Sequence, residues 1–142
     1  MALTSRASAT WTGNLTGGSG TASLDSSKLA TFDISWKART EEHGGTTNPE
    51  EMIGLAHASC YSMAFSNILD KNGTPPTKID TVAEVTFDPT GGGITLSHLT
   101  VQAQVEGLAD EDFQRLAEEA KTGCPVSKAL TGTTITLTAS LV

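Results

Sequence analysis

From Leu29 to Trp36 the chain alternates with a period of two: Leu29, Thr31, Asp33 and Ser35 interleave with Ala30, Phe32, Ile34 and Trp36. That period sets one apolar face against a core and predicts a strand. Two shorter candidate strands precede it, about Ala9 to Leu15 and Gly20 to Leu24. The Gly/Ser-rich run Asn14 to Gly20 and the triplet Asp25-Ser26-Ser27 supply the turns between them. The polar stretch from Lys37 to Thr47 reads as a surface loop.

The pattern then changes to a helical period. Asn48 suits an N-cap, Pro49 the first helical position, and Glu51 stands three residues after the cap. The helix runs to about Leu69, before Asp70-Lys71-Asn72-Gly73-Thr74-Pro75-Pro76 ends it. Ile53, Ala56, Cys60, Met63, Ala64 and Asn67 recur at spacings of three and four and predict the packed stripe. Small residues (Gly54, Ala56, Ala58, Ser59, Ala64) would admit a second backbone, so burial on more than one side is expected.

Alternation returns in Ile79 to Phe87 and Gly93 to Glu106, predicting two strands joined through Asp88 to Gly93. Asp110 to Lys121 predicts a second helix, acidic at its start as the macrodipole favours, with Gly123 as its C-cap. A short turn from Pro125 to Leu130 and a last strand from Thr131 to Leu141 complete the chain. The order, three strands, long helix, two strands, helix, short helix, strand, predicts a single two-layer α+β domain over residues 1–142.

Composition narrows the function classes. Lys plus Arg number 9 against 16 Asp plus Glu, for a net charge of −7. An acidic chain without a basic cluster argues against nucleic acid or an anionic membrane as partner. No apolar run approaches the roughly 18–20 residues that span a bilayer. The Thr/Ser/Gly-rich N-terminal segment is unlike a signal core, so the expected location is cytoplasmic. In that compartment a static disulfide is unusual, which turns attention to the two cysteines, Cys60 and Cys124.

Cys124 follows Gly123 and precedes Pro125 at an expected helix N-terminus, where backbone N–H groups favour a thiolate; Lys128 stands one turn on. Cys60 sits in mid-helix, where the amides are already bonded and burial raises a thiol pKa. As a nucleophile it needs a cation from elsewhere, and Arg39 is the nearest in sequence. On position alone, Cys60 reads first as a small core residue rather than a catalyst.

Two segments alter that balance. Asn48-Pro49-Glu50-Glu51-Met52-Ile53-Gly54-Leu55-Ala56-His57-Ala58-Ser59-Cys60-Tyr61-Ser62-Met63-Ala64 resembles the first cysteine motif of the OsmC/Ohr family, the osmotically inducible protein C and organic hydroperoxide resistance proteins. Gly123-Cys124-Pro125-Val126-Ser127-Lys128-Ala129-Leu130 resembles the second. The likeness covers nearly the whole chain and is nearer to the OsmC branch. It implies a two-layer fold of antiparallel sheets around a long central helix carrying the first cysteine, assembled as an intertwined homodimer. It also implies a thiol-dependent peroxidase without metal, haem or flavin cofactor, acting on organic hydroperoxides and more weakly on hydrogen peroxide. By the same resemblance, Cys60 is the attacking cysteine and Cys124 the resolving one. Arg39 holds the thiolate, Glu50 orients Arg39, and a dithiol such as a dihydrolipoyl group (on a lipoylated protein) is the reductant. Arg6 and Arg115 are substitutes for Arg39, and Met52, Leu55, Tyr61 and Phe65 are candidate apolar contacts for the substrate.

Spacing adds one geometric point. Glu50 and Cys60 are ten positions apart, about 15 Å along a helix axis and roughly 80° from one face. One straight helix does not join them; either an arginine bridges part of the gap, or, the favoured arrangement, two such helices pack antiparallel across a dimer and bring one chain's Glu50 near the other's Cys60. The rival from another class is a metal- or ligand-binding stress protein. His57 and Cys60 at i and i+3, with Cys124 and a carboxylate, would supply a tetrahedral zinc set, although no second Cys-x-x-Cys or His pair accompanies them. His57 reads otherwise as a packed or hydrogen-bonded helix residue. A hydrolase or phosphate-binding reading lacks its motif, since Gly91-Gly92-Gly93 joins two strands and no Gly-x-Ser-x-Gly elbow occurs.

Overall fold

The computed structural model describes residues 1–142, which fall into two compact units, 1–52 and 53–142. In the first, β1 (Ala7–Thr12), β2 (Ser19–Leu24) and β3 (Thr31–Ile34) form an antiparallel meander in that order. The β1–β2 turn is closed by Asn14, whose Oδ1 accepts the Gly17 N–H at 2.7 Å and whose carbonyl accepts the Gly18 N–H at 2.9 Å. Gly20 has to be glycine on space alone, because a Cβ there would stand 2.6 Å from the Thr10 carbonyl oxygen.

The segment after β3 is not all loop. Ser35 Oγ accepts the Ala38 N–H at 3.1 Å and starts a helical turn, α1 (Lys37–Thr40), which shortens the expected strand by drawing Ser35 and Trp36 out of it. The start of α2 (Pro49–Lys71) follows the sequence reading: Asn48 Oδ1 accepts the Glu51 N–H at 2.8 Å, and Pro49 occupies the first helical position.

In the second unit, β4 (Lys78–Asp88), β5 (Gly93–Gln104) and β6 (Thr134–Leu141) form a sheet in that order, with α3 (Asp110–Gly123) and α4 (Pro125–Ala129) between the last two strands. β4 and β5 pair antiparallel, whereas β5 and β6 pair parallel, so the expectation of antiparallel sheets fails for this pair. The reason is the connection: a crossover containing two helices returns the chain to the same end of the sheet, which a hairpin does not. Alternation along the strands turns Leu99, Val101 and Ala103 inward with Ile135, Leu137 and Ala139, against Tyr61, Phe65 and Leu69 of α2 and Phe113, Leu116, Ala117 and Ala120 of α3. Helices therefore cover one face of the sheet, in two layers.

The buried stripe of α2 differs from the expected one. Gly54, His57, Tyr61, Phe65 and Leu69 face inward, while Ala56 and Asn67 are exposed, Met63 is 67 % exposed and Cys60 is half-buried at the edge. Both registers hold apolar residues at helical spacing. The one carrying the two aromatic rings wins, because Tyr61 and Phe65 remove the most apolar surface from water. One chain thus buries α2 on a single side, leaving Leu55, Ala56, Ser59 and Met63 in solvent. The close backbone approach expected of the small residues occurs at Gly54, where a Cβ would lie 3.1 Å from the Ala83 carbonyl oxygen. Gly123 is no C-cap either; α3 runs through it and ends at Cys124, whose N–H reaches the Ala120 carbonyl at 2.9 Å.

Candidate functional site

Cys124 occupies a joint with no intervening loop. It closes α3 and is also the N-cap position of α4, its carbonyl accepting the Lys128 N–H at 3.0 Å with Pro125 in the first helical position. Its side chain is fully buried. The Cys60 thiol, on α2, packs against the buried cluster that contains Cys124, and its titration feels both the Cys124 thiol and the backbone N–H of Val126. The two cysteines that the sequence separates are thus neighbours, both as free thiols.

The amide influence departs from the sequence reading, which offers the α4 N–H groups to Cys124. A helix leaves its first N–H groups without intrahelical partners, and one of these, that of Val126, acts to lower the Cys60 pKa. The help that a mid-helix position denies Cys60 comes from the facing segment. It is outweighed: burial pushes the Cys60 thiol pKa up, the neighbouring Cys124 raises it further, and only the Val126 N–H acts downward. Lys128 is exposed.

One turn before Cys60, His57 is fully buried between Ser97 of β5 and Ser127 of α4. Nδ1 is 2.7 Å from Ser97 Oγ and Nε2 is 2.8 Å from Ser127 Oγ. Burial lowers its pKa, so the ring is neutral. Both nitrogens are engaged by hydroxyls, and no group of three or more His, Cys, Asp or Glu side chains is arranged to hold a metal ion. The sequence marks His57 as a hydrogen-bonded helix residue but gives no hint of Ser97. Ser127 and Val126 lie inside the second cysteine motif without attracting notice as residues with a task.

In the first unit, Arg39 of α1 and Glu50 in the first turn of α2 form a forked pair. Arg39 Nε lies 3.2 and 3.1 Å from the two carboxylate oxygens, and Nη2 lies 2.6 Å from Oε1. The Glu50 side chain is 5 % exposed and that of Arg39 24 %. The guanidinium also stacks over Trp36 at 5.7 Å, at the side of a cavity of about 220 Å³ lined by Trp11, Leu15, Ile34 and Pro49. Of the substitutes, Arg6 pairs with Asp25 at 3.6 Å and Arg115 with Asp112 at 3.2 Å, both arginines largely in solvent. Among the candidate substrate contacts, Tyr61 and Phe65 are core residues with ring centroids 5.7 Å apart, while Leu55 is 67 % exposed and Met52 half-buried.

Comparison with known proteins places the chain in a family and a fold. The sequence profile of the family described as OsmC-like protein matches residues 42–139. The chain is 38 % identical to the peroxiredoxin OsmC of Escherichia coli (strain K12), over 92 % of each chain. It is 29 % identical to the organic hydroperoxide resistance protein-like 2 of Staphylococcus epidermidis, over 63 % of each. In fold it is similar to the OsmC crystal structure from Legionella pneumophila, with a TM-score of 0.71 at 22 % identity over 99 % of both chains. OhrB of Bacillus subtilis gives a TM-score of 0.61 at 23 % identity, covering 96 % of this chain and 98 % of that one.

Proposed function

The chain belongs to the OsmC-like protein family, and from that premise we propose that it is a thiol-dependent peroxidase acting on organic hydroperoxides and, more weakly, on hydrogen peroxide. The observation that carries the reading is the proximity of the Cys60 and Cys124 thiols. In the first step the Cys60 thiolate attacks the terminal peroxide oxygen. The O–O bond breaks, the alkoxide leaves as an alcohol after taking a proton, and Cys60 becomes a sulfenic acid. In the second, the Cys124 sulfur displaces hydroxide from that sulfenic acid, giving a disulfide and water before over-oxidation to sulfinic acid occurs. A dithiol then exchanges the disulfide back to two thiols and is itself oxidised to a disulfide.

Burial holds the Cys60 pKa up, so the first step calls for a cation at the thiol. Arg39 takes that role and Glu50 orients its guanidinium through the forked pair. In a homodimer with antiparallel α2 helices, the Arg39–Glu50 pair of one copy serves Cys60 of the other. The exposed side of α2, with Leu55 and Met63 in solvent, supports that assembly. The expected reductant is a dihydrolipoyl group or another dithiol.

Intact-mass spectrometry with thiol counting, before and after one equivalent of cumene hydroperoxide, tests the reading on wild type and Cys124→Ser. Loss of both thiols and about 2 Da in wild type, with an oxygen adduct retained on Cys60 in the variant, supports it. Two thiols that survive the peroxide untouched would end it.

A further inference from the structure

We propose that His57 is a positioning residue that, through Ser127, fixes α4 against α2 so that Cys124 stays within bonding reach of Cys60. The peroxidase reading supplies the chemistry this serves; the positioning itself is measurable without any peroxide.

The argument starts from α4. Five residues are too few to hold a helix by their own backbone bonds, so packing has to fix its place. Yet Pro125, Lys128 and Ala129 are exposed and Val126 is half-buried. Ser127 is the one buried side chain of the segment, and its hydroxyl meets His57 Nε2 at 2.8 Å. The one fully buried side chain of α4 is therefore polar, with half-buried Val126 packing beside it against the core. The anchor is itself anchored: His57 Nδ1 meets Ser97 Oγ at 2.7 Å, and Ser97 lies fully buried on β5, the central strand of its sheet.

The positions of the two contacts relate them. His57 precedes Cys60 by three residues on α2, and Ser127 follows Cys124 by three. Two rungs thus relate the same two segments one helical turn apart, the neighbouring thiols at one level and the imidazole–hydroxyl hydrogen bond at the next. A displacement of α4 that parts the sulfurs has to stretch the second rung too. Neutral imidazole fits this task, donating from one nitrogen and accepting at the other, and every buried polar side-chain atom finds a partner. An apolar residue at position 57 would fill the space but leave Ser127 Oγ buried without a partner and α4 without its anchor.

The test measures the effective concentration of the Cys60–Cys124 pair in glutathione redox buffers. There the two thiols reduce oxidised glutathione to two molecules of glutathione and become the disulfide. Wild type, Ser127→Ala, His57→Leu and His57→Gln are compared, the last because glutamine sets an amide atom near the place of Nε2. The effective concentration should fall about tenfold to a hundredfold in Ser127→Ala and His57→Leu, the range of one lost buried hydrogen bond, and recover in part in His57→Gln. Under excess cumene hydroperoxide, the first two variants should also send a larger share of Cys60 to sulfinic acid. Folded variants (far-UV circular dichroism, a cooperative melt) whose effective concentration stays within about threefold of wild type would overturn the inference. That melt alone moves if His57 is merely structural. If His57→Leu fails to fold, Ser127→Ala, which removes a single oxygen, decides. A wild type that forms the disulfide with glutathione but ignores hydroperoxide would refute the peroxidase reading and leave the positioning result standing.

Discussion

The Arg39–Glu50 fork makes a quantitative prediction about what the pair contributes. Replacing Arg39 by Met removes the cation and keeps the length of the aliphatic stem, leaving a carboxylate that is 5 % exposed without its partner. Breaking a fully buried ion pair costs about 3–5 kcal/mol. Arg39 is 24 % exposed, so water reaches the site and the cost should fall to about 2–3 kcal/mol. Glu50→Gln keeps the shape and an acceptor oxygen, so about 1–2 kcal/mol is expected. With both replaced, no charge is left uncompensated, and the double variant should be less destabilised than the two singles added together by about 1–2 kcal/mol. Urea unfolding followed by tryptophan fluorescence reads this directly, since Trp36 stacks on the guanidinium and Trp11 lines the same cavity. Additivity within about 0.5 kcal/mol would refute the reasoning, because the fork would then do no more than an exposed surface pair.

Three further outcomes are expected. Because the folded state holds the His57 pKa below 6.5, the unfolded chain binds more protons as pH falls through that value, so stability drops as pH falls below about 6.5. His57→Gln should lack this component, and equal stability slopes from pH 7 to 5 for the two proteins would rule it out. Tyr61 has its pKa raised by burial above the ordinary 10 and donates to the Ala117 carbonyl at 3.0 Å. Stability should therefore fall as pH rises past about 10, and Tyr61→Phe should lose about 1 kcal/mol at pH 7 with a flatter alkaline limb, as read by thermal melts. Gly54→Val should destabilise by about 1–3 kcal/mol, since its Cβ would meet the Ala83 carbonyl oxygen at 3.1 Å; an unchanged melt would show that the helix can lift off the strand freely.

What the sequence made legible was local or carried by motif. Asn48 and Pro49 mark the start of α2 because capping needs only the four residues concerned. The period of two in β4 is kept in its burial from Ile79 to Phe87 because one face meets the core, although it turns Val82 out and Thr81 in. The two cysteines are neighbours, which spacing alone does not establish. What escaped needed partners far away in the chain. The choice of Tyr61 and Phe65 over Cys60 and Met63 for the inner stripe depends on Phe113 and the sheet, since both registers look amphipathic alone. The parallel β5–β6 pair depends on where a two-helix crossover returns. The Val126 amide and the Ser97 and Ser127 hydroxyls belong to residues of ordinary type, whose roles come only from what faces them.

The joint at Cys124 bears on how this chain tolerates changes of length. Between β4 and β5, Gly92 holds positive φ with open space around it, so an extra residue there lengthens a turn and disturbs little else. At the joint, the residue that ends α3 is the one that begins α4, and no slack separates them. One residue inserted between Cys124 and Ser127 would rotate Ser127 by about 100° relative to the thiol and turn its hydroxyl away from His57. One deleted would turn it the opposite way. Along this stretch the number of residues is as much a part of the site as their chemistry.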